Sequence, residues 1–324
     1  MILHRRKLLS AGAGLMGTAL LGGCDRFAGT ETGQRTLQIG EDANRYVQRL
    51  LMSPATLARE FPASMISPWF KPNGTIDPPD RAYRALAART FSEFKLAVDG
   101  LVQTPLSLSL ADLRALPARS QITRHDCVEG WSCIGQWAGV PLGEVLKKAG
   151  LKPQARYAVF HCADTLEYEA GPKGGSKGRG QGASLWRPTH PGAVREAYVQ
   201  LAAADDWGGP AAATDAPKTD SPNDDWGQGS PAAEPEPTGI PIRYYESIDL
   251  YDAFNPQTIL AYDLNGKPLP VSNGAPLRLR VERQLGYKQA KYVMRVEMVE
   301  SLAGIGQGSG GYWEDRGYEW YAGI

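Results

Sequence analysis

From Phe91 onward apolar and polar positions alternate: Phe91-Ser92-Glu93-Phe94-Lys95-Leu96-Ala97-Val98 puts one side of the chain inward, and Asp99-Gly100 follows as a turn, which predicts a strand. Leu108 to Leu116 then switches to helical spacing and stops at Pro117. Ile122 to Val128 reads as a strand with Cys127 near its end. Leu142 to Ala149, closed by Gly150, is a short helix, and Tyr157 to Cys162 is a buried strand. Ile259 to Leu264, Leu277 to Val281 and Tyr292 to Val299 add three more strands, with Asn265-Gly266 as a turn after the first. Strands and short helices in this order predict an α+β core.

The pattern upstream is different. Asn44 to Leu51 is spaced as an amphipathic helix, and the proline-rich stretch from Pro54 to Pro79 predicts an extended arm wrapped on the core. The N-terminus reads as an address: His4-Arg5-Arg6-Lys7 has the paired arginines of a twin-arginine signal, and a weakly apolar run to Leu21 follows. That run falls short of the ~20 residues a spanning helix needs. Leu21-Gly22-Gly23-Cys24 has the form of a lipobox, in which Cys24 carries lipid; the plainer alternative is a free cysteine beside an ordinary cleavage site.

Residues 168–241 interrupt the core pattern. They begin Gly/Lys/Arg-rich and turn acidic and Pro/Ala-rich, a composition that buries too little apolar surface to offset its ordering entropy, so disorder is expected. A partner-docking or gating loop built on Trp186, Trp207 and Trp226 is the competing reading. The expected organisation is therefore a signal with lipobox (1–24), an N-terminal arm (25–90), a core split into 91–167 and 242–303, the insertion, and an aromatic tail (304–324). That tail, Gly311-Tyr312-Trp313 to Trp320-Tyr321, is too aromatic for a loose end and is expected to pack back over the core as a lid.

Composition narrows the function classes. Of 324 residues, 42% are hydrophobic and 22% charged, ordinary for a globular chain. Lys+Arg and Asp+Glu are 35 each, so no net field recruits nucleic acid or an anionic membrane. Four cysteines in so long a chain do not make a disulfide scaffold.

The candidate chemistry centres on Arg124-His125-Asp126-Cys127-Val128-Glu129-Gly130-Trp131, with Asn273-Gly274-Ala275-Pro276-Leu277-Arg278 and Gly286-Tyr287-Lys288-Gln289-Ala290-Lys291 far downstream. A thiolate binds metal, and Arg, Lys and glycine-supplied backbone N–H groups bind phosphate. These segments resemble the molybdopterin domain of the sulfite oxidase superfamily, most nearly its exported bacterial branch, which contains periplasmic methionine sulfoxide reductases. The resemblance runs from about Phe91 to Leu166 and from about Tyr244 to Ser301, with a weaker echo at Phe70 to Thr75.

The resemblance implies a sulfite oxidase-like fold of mixed sheets and short helices, and a molybdenum–molybdopterin cofactor with Cys127 as the single protein ligand to the metal. It implies cofactor contacts from Asn73, His125, Cys162, Asn273, Arg278, Gly286, Lys288 and Lys291. Each has a plainer reading: Asn73 and Asn273 as turn residues, His125 as a satisfied core histidine, the cations as a basic strand edge. Glu129 reads either as an outer-sphere proton relay or as an exposed charge. Cys133 is structural or a disulfide partner of Cys127, His161 leans towards packing, and Arg280 and Arg283 read as solvated.

The implied activity is two-electron oxygen-atom transfer, either sulfoxide reduction or sulfite-type oxidation, on a small oxo donor or acceptor. The sequence has no Cys-x-x-Cys-His heme motif and no flavin or nicotinamide fingerprint, so electrons are expected to pass to or from a separate cytochrome. A monomer without a C-terminal immunoglobulin-like domain, in the periplasm and tethered through Cys24, completes the expectation. A zinc protein using Cys127, His125, Cys133 and His161, and a non-catalytic cofactor-binding sensor, are the alternative classes.

Overall fold

The computed structural model describes residue 27, residues 30–169 and residues 240–324. The signal and lipobox through Cys24 and nearly all of the 168–241 insertion lie outside these residues. Described residues up to Glu169 and from Pro241 on form one compact unit; the second, Ala170–Ile240, lies almost wholly outside the description.

Helix α1 (Glu31–Leu51) starts well before the expected Asn44, because Thr30 caps it: its hydroxyl accepts from the Gly33 N–H at 3.0 Å. The proline-rich arm follows and adds backbone bonds to the core, Phe61 N–H to the Ile122 carbonyl and Ser67 N–H to that of Ile134, each at 2.9 Å. A helix with no sequence expectation, α2 (Arg81–Ala88), is capped by Asp80. Thr90 and Phe91 have φ of 51° and 57°, so the expected strand at Phe91 is broken. It begins instead at Leu96, as β1 (Leu96–Gly100). Strand β2 (Leu106–Leu108) and helix α3 (Leu110–Arg114), with a Ser109–Asp112 capping box, replace the single helix expected there.

Then come β3 (Arg119–Asp126), β4 (Ser132–Pro141), α4 (Leu142–Ala149), β5 (Tyr157–Glu169), β6 (Ile240–Asp249), α5 (Leu250–Ala253), β7 (Ile259–Leu264), β8 (Lys267–Pro268), β9 (Arg278–Arg280) and β10 (Val293–Val299). One sheet has the order β2-β1-β10-β5-β6, with β1 and β10 parallel; the other has β3-β4-β7-β8, with β9 also paired to β7. The main core draws inward residues from both sheets, among them Val98, Phe160, Ile248, Leu260, Leu279 and Val296.

Strand β4 is the element the sequence hid. Its glycines lower strand propensity, yet they are required: a Cβ on Gly139 would lie 2.2 Å from the Leu260 carbonyl oxygen, and one on Gly135 would lie 2.9 Å from the Phe70 ring. The close approach lets β7 pair with β4 and lets Phe70 of the arm pack edge-on to buried Trp137 at 5.0 Å. That contact anchors the arm immediately before Asn73.

Candidate active site

Cys127 is the first residue past β3, in the tight turn to β4. Its N–H donates to the Trp131 carbonyl at 3.0 Å, and Gly130 closes the turn at φ +85°. The half-buried thiol lines a cleft of about 110 Å³, partly open to solvent, together with Asn73, Gly74, Thr75, Glu129, Asp164, Gly286 and Lys291. Burial pushes the Cys127 thiol up, and the Glu129 backbone N–H, Arg278 and Lys71 oppose that push. Cys127, Cys133 and Cys162 are all free thiols.

The electrostatics behind this wall are unusual. Arg278 is fully buried, donates to the Asn273 carbonyl at 3.2 Å and to Asn73 Oδ1 at 3.0 Å, and leaves its Nε without a partner. Lys291 donates to the carbonyls of Asn73 at 2.6 Å and Ser272 at 3.1 Å, and to that of Thr75. Among the described residues neither cation meets a carboxylate in an ion pair. Burial, with Arg280 nearby, brings the Arg278 guanidinium down to about 9, and burial with Arg278 nearby brings Lys291 down to about 7. Buried cations without anionic partners are costly, so the site is built to receive an anion.

His125 adds a buried ring nitrogen. Its Nδ1 lies 3.1 Å from Gln289 Oε1, which only accepts, and 3.1 Å from the Arg280 guanidinium, which only donates. Its Nε2 has no partner among the described residues. Burial, with Arg278 and Arg280 nearby, pushes His125 well below its ordinary value, so the ring is neutral. It packs so closely on Gly286 that a Cβ there would lie 2.6–2.7 Å from the ring. Glycine stands at 286 for that contact.

The structure corrects several expectations. Lys288 does not face the cleft: its ammonium is wholly buried between Glu246 and Glu314, 2.6 Å from Glu314 Oε1. Although burial opposes it, the two carboxylates hold Lys288 above its ordinary value, while burial pushes Glu246 well above its own. The Asn273 side chain turns to the Phe70 carbonyl and the Ser272 hydroxyl, so this residue supports the arm and, through its carbonyl, Arg278. Cys162 is buried in the main core and absent from the cleft; Asp164 and Leu166, farther along β5, line it instead.

Arg280 and Arg283 are buried rather than solvated. Arg280 forms a bidentate pair with Glu282, and Arg283 bonds Asp252 at 2.5 Å. Glu129 lines the rim, where its carboxylate accepts from the Trp131 indole at 2.8 Å. His161 lies on β5, 2.8 Å from Glu297 of the neighbouring β10.

Sequence reasoning missed Asp164. Asp164 is buried with one carboxyl oxygen unpartnered, and burial pushes it up to about 7 against the pull of Lys291. An acid inside an apolar strand was a signal for it. Trp313 reaches the cleft because the tail is bound to the body: Glu314 pairs with Lys288, and Tyr318 stacks on Tyr287 at 5.2 Å.

These residues fit the molybdenum–pterin group on their own chemistry. One thiol serves a metal whose other ligands arrive with an organic cofactor, two unpaired cations await a phosphate, and orphaned donor and acceptor atoms lie beside them. Among the described residues no cluster of three or more His, Cys, Asp or Glu is placed to hold a metal by itself, so the zinc alternative lacks a ligand set there.

The sequence matches the family described as oxidoreductase molybdopterin binding domain over residues 84–178 and 226–303. It is 30% identical over 319 residues, 98% of this chain and 87% of the relative, to a protein of Azospira oryzae named "Putative protein-methionine-sulfoxide reductase subunit YedZ1". It is 29% identical over 226 residues to the protein-methionine-sulfoxide reductase catalytic subunit MsrP of Xanthomonas campestris pv. campestris, covering 69% of this chain and 51% of that relative. The chain thus spans about half the length of the Xanthomonas relative. Among solved structures, the sulfane dehydrogenase SoxCD of Paracoccus pantotrophus aligns at a TM-score of 0.39 and 17% identity, over 65% of this chain and 39% of that one. By the extent of the family match and the near full-length relative, the chain belongs to the molybdopterin-binding oxidoreductases and is a molybdopterin-dependent enzyme of sulfite oxidase-like fold.

Proposed function

We propose that this chain is the catalytic subunit of an exported reductase that removes the oxygen atom from methionine sulfoxide in proteins, supplied with electrons by a separate cytochrome. The observation that carries the reading is one thiol, Cys127, sharing a cleft with Lys291 and backed by buried Arg278, two cations that among the described residues have no carboxylate partner. The relatives' names supply the substrate class. The cleft favours sulfoxide reduction over sulfite oxidation, because Val128, Leu166, Ala290 and Trp313 give it apolar walls suited to a neutral thioether-bearing side chain.

When bound, the molybdenum–molybdopterin group supplies a centre that exchanges one oxygen atom and two electrons. Cys127 holds it as a thiolate, and the Glu129 N–H stabilises negative charge on that sulfur. Arg278 and Lys291 bind its phosphate, held in place by Asn73 and the Thr75 and Ser272 carbonyls. His125 would offer its Nε2 and Asp164 its free oxygen to the group's polar edges. Trp313 and Val128 wall the reacting end, and Glu129 stands at the rim, where a carboxylate would relay protons. Overall, a sulfoxide takes up two electrons and two protons and leaves as a thioether and water.

Residues 1–24 place the enzyme in the periplasm, with lipid on Cys24 tethering a monomer to the cytoplasmic membrane. Among the described residues no helix is long and apolar enough to cross a membrane. The deciding experiment measures molybdenum and released pterin on protein purified after export. It then compares turnover of an oxidised methionine-rich protein, free methionine sulfoxide and sulfite with artificial electron carriers. Metal-free protein, or faster turnover of sulfite, sinks the reading.

A further inference from the structure

Helix α1 is docked the wrong way round for a soluble protein. Its polar side faces the body: Arg49 pairs with Asp249, Gln48 Oε1 accepts from the Tyr321 hydroxyl at 2.8 Å, Glu41 accepts from the Tyr321 N–H at 3.2 Å, and Arg45 lies over the Trp320 ring. Its apolar side faces out. Ile39, Tyr46, Val47 and Leu50 fall at helical spacing on one stripe and are 68%, 68%, 48% and 71% exposed. No described residue covers this stripe. A run of large apolar side chains held in water without a partner marks an interaction surface.

We infer that this stripe lies on a lipid bilayer, with α1 in the plane of the headgroups. The position of the helix in the chain selects that occupant. Only residues 25–30 separate α1 from Cys24 and the apolar run before it, and six extended residues reach at most about 22 Å. Anything that fixes Cys24 to a membrane therefore holds the N-terminal end of α1 within that distance of the lipid surface. The charges of the helix agree with neutral lipid: Glu31–Arg35 and Asp42–Arg45 pair along it, leaving no basic face to demand anionic headgroups. The inference rests on the proposed placement of Cys24 and is independent of the substrate.

The test uses the full chain with Cys24→Ala, which removes the lipid, and the same chain also carrying Ile39→Gln, Val47→Gln and Leu50→Gln. Both are floated with phosphatidylcholine vesicles, sized by gel filtration and melted. The Cys24→Ala protein is expected to float, and the helix variant to lose partitioning at least about tenfold at an unchanged melting temperature. Equal flotation of the two would assign binding to residues 1–24 and overturn the inference. Failure of both to float would also overturn it, as would a dimer that the helix variant converts to a monomer. No arm of the test depends on turnover, so its failure leaves the catalytic reading separately testable.

Discussion

Replacing Lys288 with alanine tests whether this lysine serves the cofactor or the fold. Its ammonium is the only cation paired with Glu246 and Glu314 among the described ion pairs, and all three side chains are essentially inaccessible. Removing it strands two carboxyl groups in the interior. Breaking a buried pair by deleting one partner costs about 3–5 kcal/mol, which for a folded unit of this size lowers Tm by about 6–20 °C. The loss also depends on pH. Burial already pushes Glu246 well above its ordinary value. A raised carboxyl contributes stability at low pH that is lost as pH rises through its folded pKa. Without Lys288 that pKa moves further up, so the deficit is smaller in acid than at neutral pH. Thermal unfolding followed by circular dichroism reads the first effect, and molybdenum per folded protein reads the second. The expected result is a large fall in Tm, with near-normal loading of the molecules that remain folded. An unchanged Tm with molybdenum content reduced tenfold would refute this and return Lys288 to the phosphate.

The other predictions concern the cleft. Cys127→Ser is expected to leave the fold intact and abolish turnover, because serine is a harder and far less acidic ligand; unchanged metal spectra and activity would remove the central assignment. Lys291→Met removes a cation that burial holds at about 7, and a base depressed in this way loses stability as pH falls through its folded pKa. The cofactor-free variant should therefore melt higher than wild type below pH ~7, while cofactor affinity falls by one to two powers of ten for a lost charged hydrogen bond of ~1.5–3 kcal/mol. Paired melting and titration with released pterin check both signs. Gly286→Ala forces a methyl against the His125 ring and is expected to reduce cofactor loading without the large Tm loss of Lys288→Ala, measured by the same two assays.

Much of the scaffold was legible along the chain. Leu142–Ala149 has a helical pattern and a glycine stop, and forms the helix expected there. Tyr157 to Cys162, Ile259 to Leu264 and Tyr292 to Val299 coincide with β5, β7 and β10 because a buried strand needs a short continuous apolar run, which is a local property. The Cys127 segment and the Arg278 and Lys291 region stood out because thiol, guanidinium and ammonium groups carry chemistry wherever they fold. The order of those segments brought them to one family.

Tertiary structure decided the rest. Strand β4 exists because β7 and Phe70 approach glycines at which a side chain would collide, a contact no local pattern announces. Lys288 and Lys291 are three residues apart and identical in type, yet the 3₁₀ turn Gly286–Lys288 sends one to two distant glutamates and leaves the other at the cleft without a carboxylate. Cys162 and Asp164 share a strand face, and only the depth of the cleft separates a core thiol from a lining acid. Arg280 and Arg283 looked solvated because a sequence does not show which acids come from elsewhere to pair with buried cations. Which charges are matched, and which are left for a ligand, is a property of the three-dimensional arrangement, since each pairing joins residues far apart in the chain.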